Sequence, residues 1–393
     1  MPSTPLHCPR CGTGAEDFSG CGACRAEGIG ANPVPPLADL SGLSLRTYPG
    51  GPWGWPAALP VTGEPVTLGE GGTPHVRVPS DHGDDGELWV KYEGANPTGS
   101  HKDRAMSVGV AAAVAAGADT VVAASSGNAG AAAAAYAARA GLRCVVFTTD
   151  EVPEPLRAQI DALGAVRVVR EDSSARNAAM REAVERFGWY PLTSFASPSP
   201  GGNAYANEGY KSVAYEIARD FGDRVRAVVV PTSRADLLSG IERGFRELRT
   251  AGLLARVPTL VAAEPDAAAP FTAALARSAP AEQERTSVPC RPSPAFSLGE
   301  ERPTWQGLDA LRRSGGSAVA VPTGVFMAEH HSLGAQGLFL EPSSAVGVAA
   351  ARRWVGEHGG LVIAIGTATG LKATAGIRGV EPMTIPELSQ LTP

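Results

Sequence analysis

The sequence predicts an α/β protein of two lobes, each an open, mostly parallel sheet flanked by helices, behind a small zinc-ribbon-like knuckle. Three observations carry that expectation. Four of the six cysteines crowd into residues 8–24, strand-like and helix-like segments alternate from residue 87 onward, and the loops that follow the strands are built from Gly, Ser, Thr and Asn.

The knuckle comes first. In "CPRCGTGAEDFSGCGAC" the pairs Cys8/Cys11 and Cys21/Cys24 are two C-x2-C units separated by nine residues. Each unit suits a tight turn that directs two thiolates at one tetrahedral metal, and Gly12 and Gly22 supply the backbone freedom such turns need. Zinc is the expected ion; the alternatives are a disulfide pair, disfavoured without a secretion signal, and chance clustering. Four thiolates leave no open coordination position, so the site is structural and catalysis lies elsewhere. Cys144 sits in the apolar run "CVVF" and reads as strand core, Cys290 lies in a Pro-rich loop, and neither is a convincing nucleophile.

A Gly/Pro/Trp segment over about 30–65 lacks periodicity and is expected to lie as an extended arm over the body. Then "ELWVKYE" reads as a strand, "HKDRAMSVGVAAAVAAG" as a helix, "TVVAAS" as a strand and "NAGAAAAAYAARAG" as a helix. "RCVVFTT", "PEPLRAQIDALG", "AVRVVR" and "SARNAAMREAVERFG" continue the alternation. So do "NEGYKSVAYEIARDFG", "RVRAVVVPTS", "LLSGIERGFRELRTAG" and "TLVAAEP"; residues 278–304 are irregular, and "GGLVIAIGTATGLKAT" closes the series. Parallel neighbours need long crossovers, which helices at this spacing supply. The expected division is 1–28 knuckle, 29–105 arm and start of the main fold, 106–204 smaller lobe and 205–393 larger lobe.

Composition narrows the function. With 34 Lys and Arg against 40 Asp and Glu, the net charge of −6 offers no field for nucleic acid or an anionic membrane. Apolar runs such as "AAAAAYAARA" are too short and interrupted to span a bilayer, and the N-terminus shows no secretory signal, so a cytoplasmic, small-molecule role is expected. The loops "NPTGSHK", "SSGNAG", "PTSRAD" and "GTATG" fall at the carboxyl edge of the sheets, where open α/β folds bind ligands. Capping of the following helix explains any one of them; four together point to carboxylate and phosphate binding.

In this order, "VTLGEGGTP", "NPTGSHKDRAM", "ASSGNAG", "EGYKSVAYEI", "EPSSA" and "GTATGLK" resemble the fold-type II pyridoxal-phosphate (PLP) enzymes of the tryptophan synthase β type, and within them the threonine synthases. The similarity covers nearly the whole chain and implies a fold-type II architecture, a PLP cofactor and an amino-acid biosynthetic lyase or synthase. It implies that Lys102 forms the Schiff base with the cofactor, that Asn128 meets the ring oxygen and that the Thr367 hydroxyl faces the ring nitrogen. It places Ser125, Ser126 and Gly127 where the substrate carboxylate docks, and Ser233, Arg234, Ala235, Asp236 and Leu237 in the cofactor-phosphate loop.

The sequence departs from that pattern in four places. The phosphate loop, "VPTSRADLLSG", lacks glycines and carries Asp236, whose charge opposes an anion. Ala206 in "NAYANEG" stands where relatives have a phosphate-binding arginine, and "FSLG" with Ser297 replaces an arginine-bearing strand. His101 and His75 stand where relatives have apolar residues; His101, beside the lysine, is counted with the substrate-binding set, whereas packing is the simpler reading for His75. Together the changes imply an altered substrate. The leading expectation is elimination or replacement on an amino acid with a β- or γ-leaving group, which is O-phosphohomoserine to threonine and phosphate in a true threonine synthase. The alternatives are β-elimination or β-replacement on a serine- or phosphoserine-like substrate, of the cysteate synthase or dehydratase type, and a non-catalytic amino-acid-binding relative. The oligomeric state stays open, with a homodimer one option.

Overall fold

The computed structural model describes residues 4–15, 18–46, 50–79 and 86–374, so the end of the expected larger lobe, 375–393, lies outside the described residues. At the front, β1 (Leu6–His7) and β2 (Gly14–Ala15) pair antiparallel, and a one-turn helix, α1 (Gly22–Ala26), brings the second cysteine pair back to the first. The following arm is not merely extended. Prolines at the first position open single-turn helices at Pro52–Gly54 and Pro56–Ala58, and Trp55 between them is fully buried, edge-on to Tyr215 at 5.2 Å.

Two strands, β3 (His75–Val78) and β4 (Gly86–Tyr92), precede α2 (Lys102–Ala115). The smaller lobe then runs β5 (Thr120–Ala124), α3 (Asn128–Arg139), β6 (Arg143–Thr149), α4 (Glu154–Ala162), β7 (Val166–Arg170), α5 (Ser173–Phe187) and β8 (Tyr190–Pro191). The larger lobe follows with α6 (Lys211–Phe221), β9 (Val225–Pro231), α7 (Asp236–Thr250), β10 (Thr259–Pro265), α8 (Pro270–Leu275) and α9 (Pro280–Glu284). It ends with α10 (Trp305–Arg313), β11 (Ser317–Val321), α11 (Thr323–Ala335), α12 (Pro342–His358) and β12 (Gly360–Gly366). Residues 305–359 received no element in the sequence reading and contribute a strand and three helices.

The smaller sheet has the order β7-β6-β5-β8, all parallel; the larger has β11-β10-β9-β12-β4-β3, parallel except for β3. Thus residues 75–92 belong to the larger sheet although they precede the smaller lobe in sequence. Val228 sits opposite both Leu260 and Ile363, and all three are fully buried, as strands covered on both faces require. In the smaller lobe the alanines at 131–134 have no exposed surface, and the small side chains of α3 let it pack close to the sheet and to α2. No helix among the described residues is long and apolar enough to cross a membrane.

Candidate active site

The start of α2 is fixed from below by charge. Arg104, Glu93, Glu216 and Lys91 are wholly buried; the Arg104 guanidinium donates to Glu93 at 2.7 and 2.9 Å and to Glu216 at 2.7 and 2.8 Å, and Lys91 lies 2.7 Å from Glu216. Two cations meet two carboxylates with their hydrogen bonds satisfied, the condition under which buried charge is tolerated. Burial alone would raise the carboxyl groups of Glu93 and Glu216, but the neighbouring cations hold both below the usual range. The turn at 206–210 closes over this helix because Gly209 has no Cβ: one would stand 2.0 Å from the Arg104 carbonyl oxygen.

That close approach brings Tyr210 to Lys102. The Lys102 Nζ donates to the Tyr210 hydroxyl at 3.1 Å and to Asp236 Oδ2 at 2.5 Å, with its side chain 19% exposed. The amine therefore faces the cleft at the carboxyl edge of the larger sheet. Asp236 is the first residue of α7, directly after the Ala235 turn, where φ is +57° in a residue other than glycine. Burial would raise its carboxyl group, and the Lys102 ammonium holds it well down instead. The rest of the loop is pinned: the Arg234 carbonyl accepts from Thr304 Oγ1 at 3.0 Å, its guanidinium pairs with Glu300, and Leu237 points into the core. Ser233 is half-buried in the loop ahead of them.

A second chain of contacts reaches across the cleft. The Thr367 carbonyl accepts from the His101 backbone N–H at 2.9 Å and lies 3.1 Å from His101 Nδ1. A carbonyl only accepts, so Nδ1 carries the hydrogen. Burial first, then the Lys102 charge, depress His101 to about 3, which leaves a neutral imidazole packed against the Tyr210 ring at 5.7 Å. The Thr367 hydroxyl lies 2.8 Å from Ser344 Oγ and donates to Glu341 at 3.2 Å; the other oxygen of Glu341 accepts from Asn128 Nδ2 at 3.2 Å. Glu341 is buried, and burial raises its carboxyl group despite these donors. Lys102, His101, Thr367 and Asn128 thus converge, with Glu341 linking the last two.

In the smaller lobe, Ser125 and Gly127 fold into a tight turn at the head of α3, where the Gly127 N–H donates to Ser125 Oγ at 3.1 Å. Ser126 turns the other way, to Thr149 Oγ1 at 3.0 Å and to the Arg176 guanidinium at 2.9 Å. Of the departures, Ala206 is buried against α2, where a Cβ on Gly109 would sit 2.9 Å from it, so its place holds no cation. Ser297 lies in a one-turn helix rather than a strand and donates to Ser343 Oγ at 2.7 Å. His75 is remote from Lys102: it pairs with Asp220 at 3.1 Å and packs edge-on to Phe221 at 4.9 Å. The sulfurs of Cys8, Cys11, Cys21 and Cys24 lie within 4.8 Å of one another, which suits one metal ion.

Sequence reasoning missed Tyr210, Glu341, Ser344 and Arg176. The first three lie inside motifs it quoted, "EGYK" and "EPSSA", and a polar residue bordering a ligand-edge loop was the available signal. Arg176 had none, being one basic residue in an ordinary helix.

A family profile described as "Pyridoxal-phosphate dependent enzyme" matches residues 66–367. A threonine synthase of Methanosarcina acetivorans is 34% identical over 320 residues, 79% of this chain and 76% of that protein. A threonine synthase of Methanocaldococcus jannaschii is 34% identical over 361 residues, 87% of this chain and 86% of its own length. Among solved structures, O-ureido-L-serine synthase superposes with a TM-score of 0.63 at 26% identity, covering 81% of this chain and 98% of that one. Maize serine racemase, at 19% identity and a TM-score of 0.64 over 76% of this chain and 88% of its own, shares the fold. The match spans the strands, loops and helices that bring Lys102, Asn128 and Thr367 together, and the chain belongs to the pyridoxal-phosphate-dependent enzymes as a threonine synthase-like member.

Proposed function

We propose that the protein catalyses elimination or replacement on an amino acid bearing a β- or γ-leaving group, with Lys102 as the residue that bonds to the cofactor and moves the substrate's protons. The observation that carries this reading is the chain of contacts that joins Lys102, through its neighbour His101, to Thr367 and, through Glu341, to Asn128 at the carboxyl edge of the sheets. The residues fit PLP at three points. The amine suits the aldehyde, the Thr367 hydroxyl suits the ring nitrogen, and the Asn128 amide, which spends one Nδ2 hydrogen on Glu341, has a second to donate to the ring oxygen. The start of α7 carries no side-chain cap, leaving N–H groups for a phosphate, while Asp236 is the one member that opposes an anion.

When bound, PLP supplies an electrophilic carbon and a conjugated ring that accepts the electron pair left at the substrate's α-carbon. The protein's own part is positioning and proton transfer. Tyr210 and Asp236 hold the Lys102 nitrogen in the cleft, from which it reaches protons at the α- and β-carbons. Ser125 and the turn at Gly127 receive the carboxylate. Thr367 is a neutral hydroxyl and fixes no proton on the ring nitrogen, so the ring withdraws electrons moderately, a setting for elimination and replacement.

With O-phosphohomoserine, Lys102 removes the α- and β-hydrogens, phosphate departs from the γ-carbon, that carbon takes up a proton, water adds its hydroxyl at the β-carbon, and a proton returned to the α-carbon completes threonine. The buried Ala206 favours a second reading, β-elimination or β-replacement on a serine- or phosphoserine-like substrate, because the arginine that meets a γ-phosphate in relatives has no counterpart there. Purified, cofactor-loaded protein assayed against O-phosphohomoserine, O-phosphoserine, serine and threonine, with release of phosphate, ammonia or keto acid followed, separates the two. Threonine from phosphohomoserine selects the first; keto acid from a serine derivative selects the second; no turnover of any member overturns both. The four cysteines hold a structural zinc in this reading, expected as one ion per chain released on thiol modification.

A further inference from the structure

Arg176, like Lys372, is a buried cation without a carboxylate within ion-pair distance among the described residues. The residue is 7% exposed, one guanidinium nitrogen donates to Ser126 Oγ at 2.9 Å, and its Nε has no hydrogen-bond partner. No acidic group among the described residues lies within ion-pair distance of it. Glu300, the carboxylate that acts on Arg176 from beyond ion-pair distance, is already paired with Arg234. Burial, followed by repulsion from Arg234, makes the Arg176 charge harder to hold. A buried, unmatched guanidinium destabilises a fold unless a negative group arrives to meet it.

Its address says which group. Ser126 belongs to the loop proposed above for the substrate, and Thr149 beside it ends the neighbouring strand, so Arg176 stands in the smaller lobe directly behind that loop. The cofactor-phosphate loop belongs to the larger lobe and has its own cation, Arg234. Arg176 also offers a guanidinium where Ala206 offers none, from a different element.

We infer that Arg176 is an anion receptor for the substrate's side chain, so that the enzyme takes amino acids carrying a phosphate or carboxylate beyond the β-carbon in preference to their neutral counterparts. The inference rests on the proposed function for what enters the cleft, and only on the geometry for the unmet charge. A planar guanidinium suits a bidentate contact with either anion.

The test is a pair of titrations. Cofactor-loaded protein is titrated with O-phospho-L-homoserine and with L-homoserine, and with O-phospho-L-serine and L-serine, following the visible absorption of the bound cofactor. Wild type is expected to bind at least one phosphorylated member about 30-fold or more tightly than its neutral counterpart, the lower end of what a desolvated charge contact is worth. Arg176→Met brings that ratio to within about 3-fold of unity, and Arg176→Lys keeps an intermediate preference because charge remains without the fork. Equal weakening of charged and neutral ligands would instead assign Arg176 to the α-carboxylate, and loss of cofactor retention would assign it to the cofactor's phosphate; either overturns the inference. So does an unchanged ratio.

A second measurement needs no cofactor. Inorganic phosphate at fixed ionic strength is expected to raise the melting temperature of wild type and not of Arg176→Met, while the ligand-free Met variant melts no lower than wild type. A protein that shows the phosphate effect but takes up no cofactor sinks the catalytic proposal and leaves the receptor standing. A Met variant that melts well below wild type with the phosphate effect intact sinks the receptor.

Discussion

Beneath α2 two cations and two carboxylates close on one another; in the cleft above, Glu300 pairs with Arg234, Arg176 has no carboxylate within ion-pair distance, and Lys102 is held by a carboxylate it has to leave if it is the reactive amine proposed above. Both regions are buried, both are rich in charge, and they lie a few residues apart along α2. The difference is completeness. A scaffold charge is matched from within the chain, because any unmatched one would cost stability on every molecule at all times. A binding charge is left short by the ligand it awaits. The same contrast separates a second closed set, Lys211, Arg243, Glu208 and Glu247, from the site.

The largest expected effect comes from opening the functional region at its centre. On the proposed role, Lys102→Ala removes both the cofactor's attachment and the proton carrier, and turnover is expected to fall by about 10⁴-fold or more with loss of the visible cofactor absorption. Stability in urea stays close to wild type, since the lysine belongs to no closed cluster. A variant that keeps the absorption and a tenth of the activity would place the reactive amine elsewhere, and the buried Lys372, which burial lowers to about 8, is where to look next.

Glu216→Gln breaks the closed region. It strips the Arg104 and Lys91 charges of a shared partner, and unfolding in urea is expected to show a loss of about 3–5 kcal/mol. The effect has a pH signature. Glu216 is held below its unfolded value, so its contribution is complete above an ordinary glutamate pKa of about 4.3 and is lost as the pH falls through the depressed folded value. Wild type should therefore lose more stability than the Gln variant between pH 5 and acid, an interval set by that reference value of about 4.3. Parallel pH curves for the two proteins would mean that Glu216 is not the linked group.

Asp236→Asn tests the boundary between the two regions. The carboxylate stands at the uncapped start of α7, where a phosphate would otherwise find only N–H donors. Removing that like charge is expected to tighten retention of the cofactor by about 10-fold, near the 1.4 kcal/mol that a tenfold change represents. Dialysis against buffer, followed by the residual visible absorption, reads the effect. Weaker retention would show that Asp236 serves the Lys102 amine more than it repels the phosphate.

Much of this was legible in the chain. Strands and helices from β4 through β10 follow apolar periodicity and Gly punctuation, and the loops at their carboxyl ends carry the residues that converge. What the sequence left out is long-range matching. Nothing local distinguishes Arg104, buried with two carboxylates, from Arg176, buried with none: each is one arginine in a helix, and their partners lie 11 and 112 residues away for Arg104. Residues 305–359 failed for a different reason. In "TGVFMAEHHSLGA" the buried face that meets α12 includes Glu329 and His330, and "PSSAVGVAAARRWVGEH" buries mostly small residues against the larger sheet, so no clean apolar stripe marks α11 or α12. The arm likewise owes its turns to prolines and its place to Trp55, whose burial depends on Tyr215, far along the chain.

The smallest expected effect completes the comparison from outside. Arg353 and Glu357, one turn apart on α12, pair at 2.8 Å with side chains 66% and 52% exposed. In distance the pair matches those of the closed cluster. Water screens it, however, and both side chains surrender rotamer freedom to form it, so a double-mutant cycle with Arg353→Ala and Glu357→Ala is expected to give about 0.3–0.5 kcal/mol. A coupling as large as that of Glu216 would mean that distance, and not desolvation, sets the worth of a charge pair here. The reasoning that singles out Arg176 would then fail with it, because an unmatched guanidinium is informative only if burial makes the missing partner expensive.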